Sequence, residues 1–134
     1  MKLNLTIIDD SPLWLSLSSK LASQNPLIDK VTVFDNTLDA WVYLQTDHCD
    51  LVMTDIEMPG MNGLSFIEMF GSKVAFISSS TVMGYAIVAK ELGCVEFMNK
   101  PYKKNDFDAV IDYVWDQINA GRKTEKPHKA LRTF

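Results

Sequence analysis

Asp9, Asp10, Asp55, Ser78 and Lys100 all stand at the ends of short apolar runs: "LNLTII" before Asp9-Asp10, "DLVMT" before Asp55, "KVAFIS" ending in Ser78, "VEFMN" before Lys100. Buried segments do not usually deliver carboxylates to their tips without a use for them. Three carboxylates brought together repel one another and raise at least one pKa unless a cation is present. A hard divalent ion with oxygen ligands resolves that repulsion. Mg²⁺ suits it, because it takes one or two carboxylates, a carbonyl and several waters. Lys100 adds a positive charge that can pair with Asp55 or with an anion on it. Magnesium, an ammonium and a serine hydroxyl around one aspartate make an electrostatic cradle for a phosphoryl group. An aspartate so placed can act as a nucleophile and form an acyl phosphate.

The chain must supply elements that bring these tips together. Apolar runs alternate with helical patterns, which predicts an α/β fold with a parallel sheet. Residues 3–8 form a continuous β-branched-rich run, as a strand buried on both faces should be. Ser11 is a helix N-cap with Pro12 at the first helical position. Leu13, Leu17 and Leu21 follow at intervals of four, one face of a helix. Further strands are predicted at 30–34, 50–54, 73–78 and 95–99. Helices are predicted from Asn36, from Gly63 to Phe70, over 82–92 with Gly93 as its stop, and over 104–119. In the second helix the apolar residues are Leu38, Trp41, Val42 and Leu44. Five βα units fit a flavodoxin-like (βα)5 doubly wound parallel sheet of order 2-1-3-4-5. Ligands of such sheets bind beyond the carboxyl ends of the strands at the switch point, here between the tips of strands 1 and 3.

Length and composition agree. The 134 residues, 47% apolar and 22% charged, suit one domain with a full core. No apolar stretch approaches the roughly 20 residues of a membrane helix, and "MKLNLTIIDD" reads as neither a signal nor a transit peptide. A cytoplasmic location is expected. Cys49 and Cys94 lack CxxC spacing and read as reduced structural thiols. A net charge of −4 argues against general nucleic-acid binding. The charge is uneven: residues 122–134 carry +4 and residues 1–121 carry −8. A domain over 1–121 followed by a basic, flexible tail over 122–134 is the expectation.

With these residues in view, the chain resembles the receiver domain of two-component response regulators over about residues 1–120. The motifs are "IIDDS", "DLVMTDIEMPGMNG", the hydroxyl at Ser78 and "CVEFMNKPY". The wording is closest to receivers of the LytTR type. The resemblance implies that Asp55 is the phosphoacceptor. It implies Mg²⁺ held by Asp10, Asp55 and the backbone carbonyl of Glu57, with Asp9 acting largely through water. Ser78 resembles the hydroxyl that binds the phosphoryl group, Lys100 its ion-pair partner, and Phe97 the switch aromatic. A cis Lys100-Pro101 bond is implied as well. The implied partners are a sensor histidine kinase or histidine phosphotransfer protein as donor. Downstream stands a protein target or output domain reading helix 4, strand 5 and helix 5, with no role in nucleic-acid or membrane binding. The function implied is a signalling switch that catalyses only its own phosphorylation and dephosphorylation. The segment from Asp55 to Ser78 is shorter than the family norm by roughly two helical turns, which implies a trimmed third helix. "SSST" also offers Ser79, Ser80 and Thr81 as the hydroxyl; spacing to Lys100 favours Ser78.

Rival chemistries fit less well. A phosphatase of the haloacid dehalogenase type would need a second acid two residues after the nucleophile; Glu57 sits there, but no further acidic motif follows. A flavodoxin-like electron carrier would need a Ser/Thr/Gly-rich phosphate loop after strand 1, where "DDSP" stands. Trp14, Trp41 and Trp115 read as packing residues, and His48 and His128 as isolated.

Overall fold

The computed structural model describes residues 2–70 and 74–124. Ten elements alternate along the chain: β1 (Leu3–Ile8), α1 (Pro12–Ser23), β2 (Ile28–Phe34), α2 (Thr37–Thr46), β3 (Leu51–Asp55), α3 (Gly63–Phe70), β4 (Ala75–Ser80), α4 (Tyr85–Glu91), β5 (Glu96–Asn99) and α5 (Lys104–Thr124). The five strands form one parallel sheet of order β2-β1-β3-β4-β5. The expected fold is the observed one. The order reverses at β1, which pairs with β2 on one side and β3 on the other. The tips of β1 and β3 therefore flank the crevice where a doubly wound sheet binds ligands.

Side-chain alternation along the strands divides the core into two layers. Leu3, Leu5, Ile7, Leu51, Met53 and Ile77 face α1 and α5, where they meet Leu21, Ala22, Phe107, Ile111 and Val114. Ile8, Val52 and Phe76 face the other way and meet Ala40, Phe66, Ile67 and Ala89. Phe66, Phe76 and Phe107 are fully buried, each worth roughly 1.5–3 kcal/mol relative to an exposed ring.

Helix starts follow the sequence closely. Ser11 caps α1, its hydroxyl oxygen accepting from the Trp14 N–H at 3.3 Å, and Asn36 caps α2 by accepting from the Asp39 N–H at 2.8 Å. Gly93, with φ of 101°, supplies the left-handed residue that ends α4. In α1, Leu13 is 75% exposed and Leu17 also lies at the surface, whereas Ser18, Leu21 and Ala22 are buried. A spacing of four overshoots one turn by about 40°, so the leucine row winds away from the sheet. In α2 the buried residues are Thr37 and Ala40, while Leu38 and Val42 face solvent.

Three boundaries also move. β2 starts at Ile28 and β4 runs from Ala75 to Ser80, so Ser78 lies two residues inside its strand and not at the tip. At eight residues α3 is short, in keeping with the close spacing of Asp55 and Ser78. α5 continues to Thr124, past 119 and into the stretch assigned to the tail. The rest of that tail lies outside the described residues. Among the described residues no helix is long and apolar enough to cross a membrane.

Candidate functional site

Asp9 follows the last residue of β1, and its backbone N–H donates to Phe34 O at 3.1 Å, which ties the tip to the neighbouring strand. Its carboxylate does two jobs. Oδ1 accepts from the Ser11 N–H at 3.0 Å, and Oδ2 receives the Lys100 ammonium at 2.7 Å. Asp55 is the last residue of β3, and its Oδ1 lies 3.3 Å from the same Lys100 Nζ. Lys100 follows β5, with its backbone N–H donating to Ser80 O at 2.8 Å, and Lys100-Pro101 is cis. Asp9, Asp55 and Lys100 are all buried, and Asp10 is exposed beside them.

The loop after Asp55 closes back on it. The Gly63 N–H donates to Ile56 O at 2.8 Å, and the Thr54 hydroxyl donates to the Asp55 carbonyl at 3.0 Å. A Cβ on Gly63 would stand 2.1 Å from that carbonyl oxygen. Only glycine lets α3 begin so close to the end of β3.

One ammonium does not balance three carboxylates. Burial, and then the charge on Asp9, push the Asp55 carboxyl up to about 6, with Lys100 pulling the other way. Asp9, Asp10 and Asp55 each offer a carboxylate oxygen, and these oxygens lie within 4.8 Å of one another. A compact all-oxygen donor set with excess negative charge fits a hard divalent cation such as Mg²⁺.

Of the residues expected at the site, the structure brings Asp9, Asp10, Asp55 and Lys100 together. Glu57 lies in the exposed loop after Asp55, and its Oε1 accepts from the Ser80 hydroxyl at 3.3 Å. Ser78 is fully buried, and its hydroxyl has no hydrogen-bond partner among the described residues. The register pairs Ser78 with Thr54 and Phe97, whereas Asp55 pairs with Ser79. In-register neighbours share a face. Ser78 and the half-buried Phe97 thus belong to the layer of Val52 and Phe76, and Asp55, Asp9 and Lys100 to the layer of α1 and α5.

Three contributors escaped the sequence reading. Trp14, which reads as a packing residue, has its ring centroid 5.2 Å from Lys100 Nζ. Tyr102 stacks on that indole at 4.8 Å, and Gly63 fixes the approach of α3. "NKPY" and the "NG" before α3 were the available signals.

Residues 5–112 match the family model of the response regulator receiver domain. A protein-glutamate methylesterase/protein-glutamine glutaminase of Methylobacillus flagellatus is 36% identical over 131 residues, covering 92% of this chain and 37% of that protein. One of the same description from Thiobacillus denitrificans is 33% identical over 137 residues, 95% of this chain and 38% of its own. The chain thus spans little more than a third of these curated relatives' own length. Among solved structures, the response regulatory domain of mrkE from Klebsiella pneumoniae aligns with a TM-score of 0.76 at 22% identity, over 86% of this chain and 99% of that one. The chemotaxis response regulator CheY4 of Vibrio cholerae aligns with a TM-score of 0.74 at 17% identity, over 85% of this chain and 99% of that one.

Proposed function

The chain belongs to the response regulator receiver domain family, whose aspartate is the phosphorylation switch of two-component signalling, and from that premise we propose the part each residue takes. Asp55 is the phosphoacceptor. One of its carboxylate oxygens attacks the phosphorus of a phosphohistidine on a sensor kinase or phosphotransfer protein. The new O–P bond gives an acyl phosphate, and the P–N bond breaks with its electron pair returning to the imidazole. Lys100, 3.3 Å from Asp55, neutralises charge on the phosphoryl oxygens, and Asp9 orients Lys100 from the other side. Asp10, Asp55 and the backbone carbonyl of Glu57 would hold Mg²⁺, with Asp9 beside them. Mg²⁺ held there would supply positive charge for the transferring phosphoryl group. Water later hydrolyses the acyl phosphate.

The observation that carries this reading is the buried trio of Asp9, Asp55 and Lys100 at the switch point of the sheet, with the Asp55 carboxyl raised to about 6. Incubation with acetyl phosphate and Mg²⁺ is expected to add one acid-stable, hydroxylamine-labile phosphoryl group. Asp10→Ala is expected to need more Mg²⁺ for the same labelling, because it removes one of very few ligands. A wild-type protein that gains no hydroxylamine-labile phosphate would sink the assignment.

Ser78 and Phe97 are proposed as the switch. The unpartnered Ser78 hydroxyl turns toward the phosphoryl group, Phe97 moves into the space it leaves, and the surface of α4, β5 and α5 changes for a downstream target or output domain. Ser78→Ala and Phe97→Ala should still accept phosphate at Asp55. Beryllofluoride should then fail to shift the amide resonances of that surface. A full wild-type response in both variants would remove the switch role. Methylesterase chemistry belongs to relatives of which this chain covers only 37%. The role proposed here is regulatory, in the cytoplasm.

A further inference from the structure

We propose that Trp14 is a positioning residue for Lys100, its indole face holding the ammonium ready for Asp55 without binding it as an anion would. The inference rests on the reading that Lys100 acts on the phosphoryl group at Asp55.

Lys100 is only 6% exposed, and a buried ammonium loses its hydration unless neighbours replace it. Asp9 supplies a short contact at 2.7 Å and Asp55 a longer one at 3.3 Å. A lysine is a point charge on a flexible four-carbon stem, so two anions in one region do not by themselves fix where it stands. The Trp14 ring centroid, 5.2 Å from Nζ, lies inside the roughly 6 Å reach of a cation–π contact. An aromatic face attracts through its quadrupole and carries no net charge. It therefore offsets part of the lost hydration while leaving the ammonium free for an incoming anion. A third carboxylate would hold Lys100 back; an aliphatic side chain would leave it unsolvated.

The ring is itself fixed. It stacks on Tyr102 at 4.8 Å, and the Tyr102 hydroxyl points to Met53 Sδ at 3.8 Å. Its backbone N–H is held by Ser11, whose own N–H binds Asp9. One turn of chain thus sets both the anion and the aromatic face that Lys100 meets. If Trp14 only filled space over Tyr102, any apolar side chain of similar bulk would serve.

Trp14→Leu and Trp14→Phe in the full chain separate the two cases, with acetyl phosphate and Mg²⁺ as the probe. The leucine variant is expected to label about 3- to 10-fold more slowly and the phenylalanine variant within about twofold of wild type. Lys100 CεH2 protons should resonate upfield in wild type and Trp14→Phe and return to the ordinary position in Trp14→Leu. Should the leucine variant not fold, fluorinated tryptophan keeps the shape and weakens the face, and labelling should slow as fluorine is added. Equal labelling of the two variants, an unmoved Lys100 resonance in the leucine variant, or a rate indifferent to fluorine would overturn the proposal. Absence of labelling in wild type would defeat the acceptor reading instead, and the Lys100 resonance would still decide whether the ring holds the ammonium.

Discussion

Asp55→Asn is expected to lose all phosphoryl acceptance and, in the absence of divalent metal, to be more stable than wild type. The loss follows because an amide oxygen is a poor nucleophile, and no other residue takes over the position between Lys100 and the two flanking acids. Beryllofluoride should likewise bind wild type alone. The gain in stability follows from the cost of the carboxylate. Its folded pKa of about 6 lies above the ordinary 3.8, so the ionised form is disfavoured in the fold relative to the unfolded chain. For an acid raised in this way, the penalty is full above about 6 and vanishes as pH falls through about 4. At pH 7.5 with chelator, the shift corresponds to roughly 2–3 kcal/mol, which the neutral amide avoids. Urea denaturation of both proteins from pH 7.5 to 4 should show the variant ahead at the top and level at the bottom. A variant that is less stable at pH 7.5, or one that still takes up hydroxylamine-labile phosphate, would contradict the environment described for Asp55.

Gly63→Ala is expected to damage both fold and site through a single methyl group. Its Cβ would stand 2.1 Å from the Asp55 carbonyl oxygen and 2.9 Å from the Ile56 Cα. These are backbone atoms of the strand tip and its loop, which have no rotamer to change, so α3 or the tip of β3 must move. Overpacking costs about 1–3 kcal/mol, and more where backbone has to shift. At roughly 4 °C per kcal/mol for a domain of this size, melting should fall by about 4–12 °C. A shift of the acceptor also disturbs its alignment with Lys100, and a displacement of about 1 Å can cost a hundredfold in rate. Labelling by acetyl phosphate should therefore slow by roughly 10- to 100-fold even below the melting range. Gly84→Ala is the control, since Gly84 has an ordinary φ of −59° and open space around its Cβ position. Its stability should stay within about 0.5 kcal/mol of wild type. Equal behaviour of the two alanine variants would mean that Gly63 is not the contact that sets the acceptor loop.

The strands and the polar groups at their ends were legible because a strand buried on both faces must be a continuous apolar run, and a polar residue then marks where it stops. Residues 3–8 and 51–55 follow that rule apart from Asn4, Thr6 and Thr54, and Asp9, Asp55 and Lys100 meet as the topology requires. β4 hides its end because it breaks the rule: Ser78, Ser79 and Ser80 are polar yet buried within the strand. The buried faces of the helices were less legible for a different reason. α2 buries Thr37 and Ala40, with Leu44 packed against the core, while Leu38, Trp41 and Val42 look outward. Hydrophobicity ranks those residues in the wrong order. The contact of Trp14 with Lys100 joins α1 to the end of β5, and no local pattern announces a pairing across that separation.

The proposed acceptor, Asp55, and the proposed switch residues, Ser78 and Phe97, belong to opposite faces of one sheet. Asp55 and Lys100 belong to the α1/α5 layer, and Ser78 and Phe97 to the layer that packs α3 and α4. The partition matters for how such a chain can diverge. Substitutions in the second layer can redirect what the molecule reports, through a different Phe97 environment or a different α4 surface, while the donor-facing chemistry stays untouched. On the α1 side the two overlap, because α5 packs there and also belongs to the proposed readout surface. On the roles proposed, the narrow place where acceptance and output must agree is the register of β3 on β4, which sets Asp55 against Ser78.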